Sequence, residues 1–243
     1  MKNVYKIGGK IIEITSIYNE VHTLCRDYIC EQTPDFKIET SQPDIDYERE
    51  KSAMEDKKEG LPIRNFPDSY LETLAVYRKI AENLLAYDTI LFHGSVIAVD
   101  GIGYLFTAKS GTGKSTHTRL WREYFGERAV MVNDDKPLLQ ITENGVITHG
   151  TPWDGQHHLS ENISVPLKAI CILRRAEENH IERISKSMAF PMLLQQAYRP
   201  QNVLKMQKTL DTLDRISDTI ALYKLGCNME IEAVETAYHA MKG

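Results

Sequence analysis

The run Tyr104-Leu105-Phe106-Thr107-Ala108-Lys109-Ser110-Gly111-Thr112-Gly113-Lys114-Ser115-Thr116 constrains this 243-residue chain more than any other stretch. An apolar stretch, a loop of small residues and a helical segment opening near Ser115 predict strand, tight loop and helix in succession. Such a loop turns successive backbone N–H groups into one concavity at the positive end of a helix, where phosphate groups fit. Lys114 is placed to reach β- and γ-phosphates, and the Ser115 hydroxyl to ligate magnesium. Ala108 stands where the strict pattern has its first glycine. A Gly/Ser turn that binds nothing is the bland alternative. It is the weaker one, because glycine, Lys-Ser-Thr and the apolar strand all fall where phosphate binding needs them. The pattern predicts a nucleoside triphosphate site, with Ser110, Gly111, Thr112, Gly113, Lys114, Ser115 and Thr116 around the phosphates.

Twenty positions after Lys114, the apolar run Ala129-Val130-Met131-Val132 ends in Asn133-Asp134-Asp135. The intervening helix of about ten residues spans about 15 Å, enough to return the chain to the sheet beside the loop strand. Carboxylates there can hold Mg²⁺ directly or through water, and one can take a proton from an attacking hydroxyl. An Asn/Asp-rich turn explains the pair on its own, but less well beside the loop at this separation. Asp134 and Asp135 are therefore candidates for the base and, with Ser115, for the metal. His93 stands just before the hairpin that leads into the loop. That hairpin folds back on itself, which is expected to bring His93 near the phosphate end, although a lone histidine at a strand start is more often structural.

With 42% hydrophobic residues the chain can bury a full core, as one large domain or as a core with a small appendage. A net charge of −5 gives no reason to expect nucleic acid or an anionic membrane as partner. No apolar segment near Met1 has signal-peptide length, and no stretch approaches a membrane span, so a cytoplasmic, reducing setting is expected. Cys25, Cys30, Cys171 and Cys227 show neither C-x-x-C spacing nor the density of a secreted scaffold. Cys171 reads as core, and Cys25 and Cys30 as ordinary thiols.

A hairpin is predicted over Val4 to Ile14 across Gly8-Gly9, followed by a charge run, Asp44 to Glu59, that reads as an exposed helix or a mobile lid. Ser69-Tyr70-Leu71-Glu72 predicts a capping box opening a helix to about Tyr87. Strands follow at 95–99, 104–107, 129–132, 138–141, 146–148, 169–173 and 221–225, with helices over 116–124, from Met188 onward, and over 230–241. In the helices from Met188 onward, Val203, Met206, Leu210, Leu213 and Ile220 are expected on one face. Antiparallel pairing on both sides of the strand–loop–helix unit is unlike an all-parallel doubly wound sheet. The domains read as residues 1–68, a hairpin and charged segment, and 69–243, the core, or as one continuous domain.

His93-Gly94, the Gly101-Ile102-Gly103 turn, the loop Ser110 to Ser115 and the Asp134-Asp135 pair follow one another at separations that resemble the catalytic domain of the HPr kinase/phosphorylase family. The resemblance covers roughly His93 to Leu139. It implies an α/β fold with a P-loop kinase core of the HPr kinase and phosphoenolpyruvate carboxykinase type, with mixed, largely antiparallel strands around the strand–loop–helix unit. It also implies phosphoryl transfer from ATP to a serine hydroxyl with Mg²⁺. On this chain Lys114 and Ser115 would serve phosphates and metal, Asp134 and Asp135 would supply a base and a metal contact, and His93 would orient substrate or phosphate. Two positions depart from the family: Ala108 replaces a glycine, and Thr116 replaces a glutamate that contributes to the metal and phosphate environment.

For the acceptor, the turn-rich segment Gly150 to His158 offers Trp153 and His157, since binding residues often sit on loops and an aromatic ring gives much contact at little entropic expense. A packed surface loop explains the same residues equally well. Arg199, before Pro200, and the pair Arg174-Arg175 are candidates for stabilising charge on a transferring phosphate. The expected activity is an ATP- and magnesium-dependent kinase acting on a hydroxyl of a peptide, protein or small molecule, with a homo-oligomer left open. A nucleotide-responsive binding module and a simple NTP hydrolase are the alternatives.

Overall fold

The computed structural model describes residues 1–155 and 158–243. They form two compact units, Met1–Asn83 and Leu84–Gly243. In the first, β1 (Lys2–Ile7) and β2 (Lys10–Thr15) make an antiparallel hairpin, and β3 (Phe36–Glu39) joins parallel to β2. Alternation sends Tyr5, Ile7, Ile12 and Ile14 inward. The short α1 (Glu20–Leu24) bridges β2 and β3 in sequence. The charge run is a helix, α2 (Gln42–Glu59). Its N-terminus is held by the Asp44 carboxylate, which accepts the Ser41 N–H at 3.0 Å, and its end by Gly60 in the left-handed conformation. Ion pairs rather than an apolar stripe fix its inner face. From α3 (Asp68–Leu84), Arg78 donates to Glu48 at 2.6 Å and Lys79 to Asp44 at 2.8 Å.

Helix α3 begins at Asp68, which places Ser69 inside the helix rather than at its cap, and Glu72 is engaged elsewhere. Fully buried, its carboxylate accepts the N–H groups of Ile17 at 2.7 Å and Tyr18 at 2.8 Å and the Thr40 hydroxyl at 2.5 Å. The chain leaving β2 has no ladder partner at that point, and buried N–H groups require an acceptor. The Pro67 carbonyl serves the first turn of α3 instead, accepting from Tyr70 and Leu71.

The second unit is a mixed α/β layer structure around one large sheet. Its strands are β4 (Thr89–Leu91), β5 (Ser95–Val99), β6 (Ile102–Thr107), β7 (Ala129–Asn133), β8 (Leu138–Thr142), β9 (Gly145–His149), β10 (Ser164–Arg175), β11 (His180–Arg183) and β12 (Ala221–Cys227). The order runs β4-β8-β9-β10-β6-β5-β7, with β12 pairing β10 and β11 pairing β12. Parallel pairing is confined to β10 with β6 and with β12; the other pairs of this sheet are antiparallel.

Period-two alternation divides the strand residues between two cores. Val96, Ala98, Leu105, Ile170 and Leu222 pack with residues of α5 (Lys186–Gln196) and α6 (Val203–Thr219). Their neighbours Ile97, Val99, Phe106, Cys171 and Leu225 pack with α4 (Lys114–Phe125) and α7 (Glu232–Met241). Cys171 is a core residue, as expected. The face expected for α6 is buried in part. Val203 and Leu204 are 78% and 76% exposed, while Thr209, Thr212, Leu213, Ile216 and Ile220 are buried. Leu213 and Ile220 of the expected face are thus buried, and Val203 is not. Among the described residues, no helix is long and apolar enough to cross a membrane.

Candidate functional site

Sheet pairing assembles the site. β5 runs antiparallel to both β6 and β7, with Ser95 opposite Phe106 and Val96 opposite Asn133. The start of β5 therefore meets the ends of β6 and β7. His93 arrives there from before β5, the loop 108–113 from after β6, and Asp134-Asp135 from after β7. Backbone bonds lock the junction: Thr107 Oγ1 donates to the His93 carbonyl at 3.1 Å, and the Gly94 N–H to the Asp135 carbonyl at 3.1 Å. Because β10 is parallel to β6, its end reaches the same edge. There Arg175 Nη2 donates to the Gly111 carbonyl at 2.6 Å and props the loop.

His93, Ser110, Gly111, Gly113, Lys114, Ser115, Thr116, Asp134 and Asp135 line one open cleft of about 550 Å³, together with Gly155. Thr112 does not line it; its hydroxyl donates to the Lys109 carbonyl at 2.7 Å. Gly111 and Gly113 have φ of +74° and +122°, and a Cβ at either would meet nothing within 4 Å. Conformation, not crowding, demands glycine here, and the space beside the loop is open. Ala108 has neither constraint: it is fully buried, and its methyl joins the core that contains Phe106 and Trp121. Gly113 opens α4 without a side-chain cap, which leaves N–H groups of the first turn at the positive helix end.

Burial pushes the Lys114 ammonium below its ordinary pKa, opposed by the nearby Asp135. His93 Nε2 lies 3.3 Å from Asp135 Oδ1. Burial, then the charge of Lys114, lowers the imidazole pKa against the pull of Asp135, so the ring stays neutral at neutral pH. The two aspartates differ. Asp135 has a side chain 30% exposed, whereas Asp134 is buried and accepts the Gly155 N–H. A Cβ at Gly155 would fall 2.5 Å from that carboxylate, so only glycine lets the backbone come so close.

Two positioning residues lie outside the sequence expectations. Asn133, fully buried, accepts the N–H groups of Asp135 at 2.9 Å and Lys136 at 2.6 Å on Oδ1, while Nδ2 donates to Thr151 Oγ1 at 3.1 Å and to the Trp153 carbonyl at 3.2 Å. It thereby sets the turn that carries both aspartates. The Gln196 carbonyl accepts the His93 N–H at 2.8 Å. The Asn-Asp-Asp run signalled the first; nothing local signalled the second.

Trp153 is 5% exposed and offers little surface to a ligand. Arg199 is exposed and is not among the residues lining the cleft. His157 lies outside the described residues. Beside the loop, a cavity of about 500 Å³ shares Gly111, Gly113 and Thr116 with the cleft and runs to Leu173, Cys227 and Met229. His117, 2% exposed, lines it; Nε2 accepts from Trp121 Nε1 at 3.0 Å, and Nδ1 has no partner. The Ser115 hydroxyl and the aspartates are hard oxygen donors of the kind magnesium takes together with phosphate oxygens. Among the described residues no group of three or more His, Cys, Asp or Glu that could hold a metal ion is found.

A model of the family described as SynChlorMet cassette protein ScmC matches residues 67–230, more than half of the chain. No curated protein matches it. Among solved structures, an Hpr(Ser) kinase/phosphatase from Coxiella burnetii aligns over 63% of this chain and 99% of its own, at 14% identity and a TM-score of 0.34. That likeness is loose, and neither activity nor substrate follows from it.

Proposed function

The chain belongs to the ScmC family, and we propose that it is a phosphotransferase, moving the terminal phosphoryl group of ATP to a hydroxyl of a peptide, protein or small molecule. One observation carries this reading: a lysine, a hydroxyl, two carboxylates and a neutral imidazole, supplied by three separate segments, meet in one cleft at an uncapped helix start. A structural turn has no need of that convergence. Loop amides and the Lys114 ammonium hold the phosphates, and the apolar cavity beside the loop takes the nucleoside end. Asp135, exposed to the cleft and adjacent to His93, is the base for the acceptor hydroxyl; His93 orients the acceptor or the phosphate. Ser115 with Asp134 would hold magnesium, which when bound supplies positive charge to the phosphate oxygens.

Acceptor-dependent release of ADP from labelled ATP tests this. Lys114→Ala is expected to cut transfer by about 10²–10³, as for loss of one charge-stabilising donor, to weaken MgADP binding, and to leave thermal unfolding unchanged. A variant that binds and turns over like the parent removes the loop from the reaction. ADP release that ignores every acceptor marks a hydrolase instead.

A further inference from the structure

A second cavity, of about 460 Å³, adjoins the cleft on the side of the aspartates. It shares Ser115 and Asp134 with the cleft and extends along α4 to Arg119 and Arg122, with Met131 and Leu159 as apolar walls. The nucleoside-side cavity contains neither aspartate, so the two cavities are chemically distinct exits from one centre. The Arg122 Nε is buried and, among the described residues, has no hydrogen-bond partner. A buried donor left unmade costs about 1–3 kcal/mol, more when it belongs to a charged group, unless a ligand supplies the acceptor. Arg119, one helical step earlier, is half exposed and, among the described residues, pairs with Glu123 on its own helix, a contact of the weak surface kind. Its guanidinium is therefore free to be redirected at small expense.

We propose that the acceptor carries an oxyanion, a carboxylate or a phosphate, seated on Arg122 and Arg119 while its hydroxyl lies in the cleft at the aspartates. The proposal rests on the phosphotransfer reading and specifies its substrate class. Arginine presents a planar fork that matches either oxyanion. The seat also offsets the repulsion between an anionic acceptor and the triphosphate. In the transfer step the acceptor oxygen forms a bond to the γ-phosphorus as the bond from that phosphorus to the β,γ-bridging oxygen breaks. The hydroxyl proton passes to Asp135, and the electron pair of the broken bond leaves with ADP.

The test uses the purified full chain and two matched pairs of probes: N-acetyl-L-serine against N-acetyl-L-serinamide, and glycerol 3-phosphate against glycerol. The expected result is a kcat/KM at least about tenfold higher for one anionic member than for its neutral partner, the size of one charge-assisted contact. The pair that shows it tells carboxylate from phosphate. In Arg122→Gln that preference collapses towards one, Arg122→Lys keeps part of it, and MgADP affinity and melting temperature stay at parent values. Arg119→Gln, on the exposed side, gives a smaller loss and guards against misfolding at position 122. Calorimetry of the anionic probes in the presence of MgADP is run alongside, because it needs no turnover. Anion binding lost in Arg122→Gln without transfer to any probe supports the oxyanion seat and sinks the phosphotransfer reading. Transfer without anionic preference, or anionic binding indifferent to Arg122, overturns the seat and leaves that reading standing.

Discussion

The two units spend their polar groups differently. In Met1–Asn83 the buried carboxylates are committed to the protein itself: Glu72 to two backbone N–H groups and a hydroxyl, Glu48 to Arg78, and Asp56 to Arg64, which holds that carboxyl below its usual range. In Leu84–Gly243 groups such as Asn133 are committed in the same way, but others are left over. Among the described residues, the buried side-chain atoms without a partner, including His117 Nδ1 and Arg122 Nε, all belong to the second unit. Partnered groups fix a fold, while unpartnered donors beside a cavity are what a ligand can satisfy. The family match, over residues 67–230, covers most of the second unit and little of the first.

If that contrast is sound, removing a carboxylate has opposite consequences in the two units. Asp135→Asn is expected to lower transfer by about 10²–10⁴, the usual worth of a general base, with nucleotide affinity and melting temperature nearly unchanged. Glu72→Ala is expected to destabilise the first unit by about 1–3 kcal/mol, since it strands the buried Thr40 hydroxyl and two partly buried N–H groups, and to leave kcat per folded molecule unchanged. Steady-state kinetics together with amide exchange at Ile17 and Tyr18 read both effects. The contrast breaks if Asp135→Asn melts early, or if Glu72→Ala slows the folded enzyme.

Local signals carried much of this arrangement into the sequence, and tertiary ones did not. The strand, loop and helix around Lys114, the hairpin of β5 and β6 and the Asp134-Asp135 strand end are adjacent residues obeying short-range rules, and the structure brings them into one cleft. The pattern Ser69-x-x-Glu72 satisfied the same short-range rule, yet Glu72 answered a demand from the chain after β2, far away in sequence. The charge run 44–59 was undecided between helix and lid because its partners, Arg78 and Lys79, lie on another helix. Gln196 and Arg122 reach the site region only through folding. Apolar spacing in α6 could not reveal that Val203 and Leu204 are exposed.

Trp153 sharpens the contrast from inside the second unit. It was a candidate for acceptor recognition, yet its ring is 5% exposed and its carbonyl accepts from Asn133, the residue that sets the aspartate turn. Trp153→Ala is expected to cost about 3–5 kcal/mol of stability, as for other buried aromatic truncations. Nucleotide and acceptor kinetics should then suffer together. A selective rise in acceptor KM at unchanged melting temperature would restore the recognition role and show that burial had been misread as architecture.

The smallest expected effect concerns acid. Burial lowers the His117 pKa to about 4 from an unfolded value of 6.5. Between those values the unfolded chain binds the extra proton, so stability is present above pH 6.5 and falls as pH drops towards 4. From pH 7.5 to pH 5 this one group should remove about 2 kcal/mol from the second unit. Both tryptophans, Trp121 and Trp153, belong to that unit, so intrinsic fluorescence during urea unfolding follows it selectively. In His117→Gln the amide oxygen can still accept the Trp121 N–H, and no proton is taken up. The acid loss should shrink by about 2 kcal/mol relative to the parent, while the carboxylate pairs common to both proteins cancel in the difference. An identical acid dip in the variant would mean that the unpartnered imidazole is not an acid-sensitive point, and that the second unit meets its buried polar groups as fully as the first.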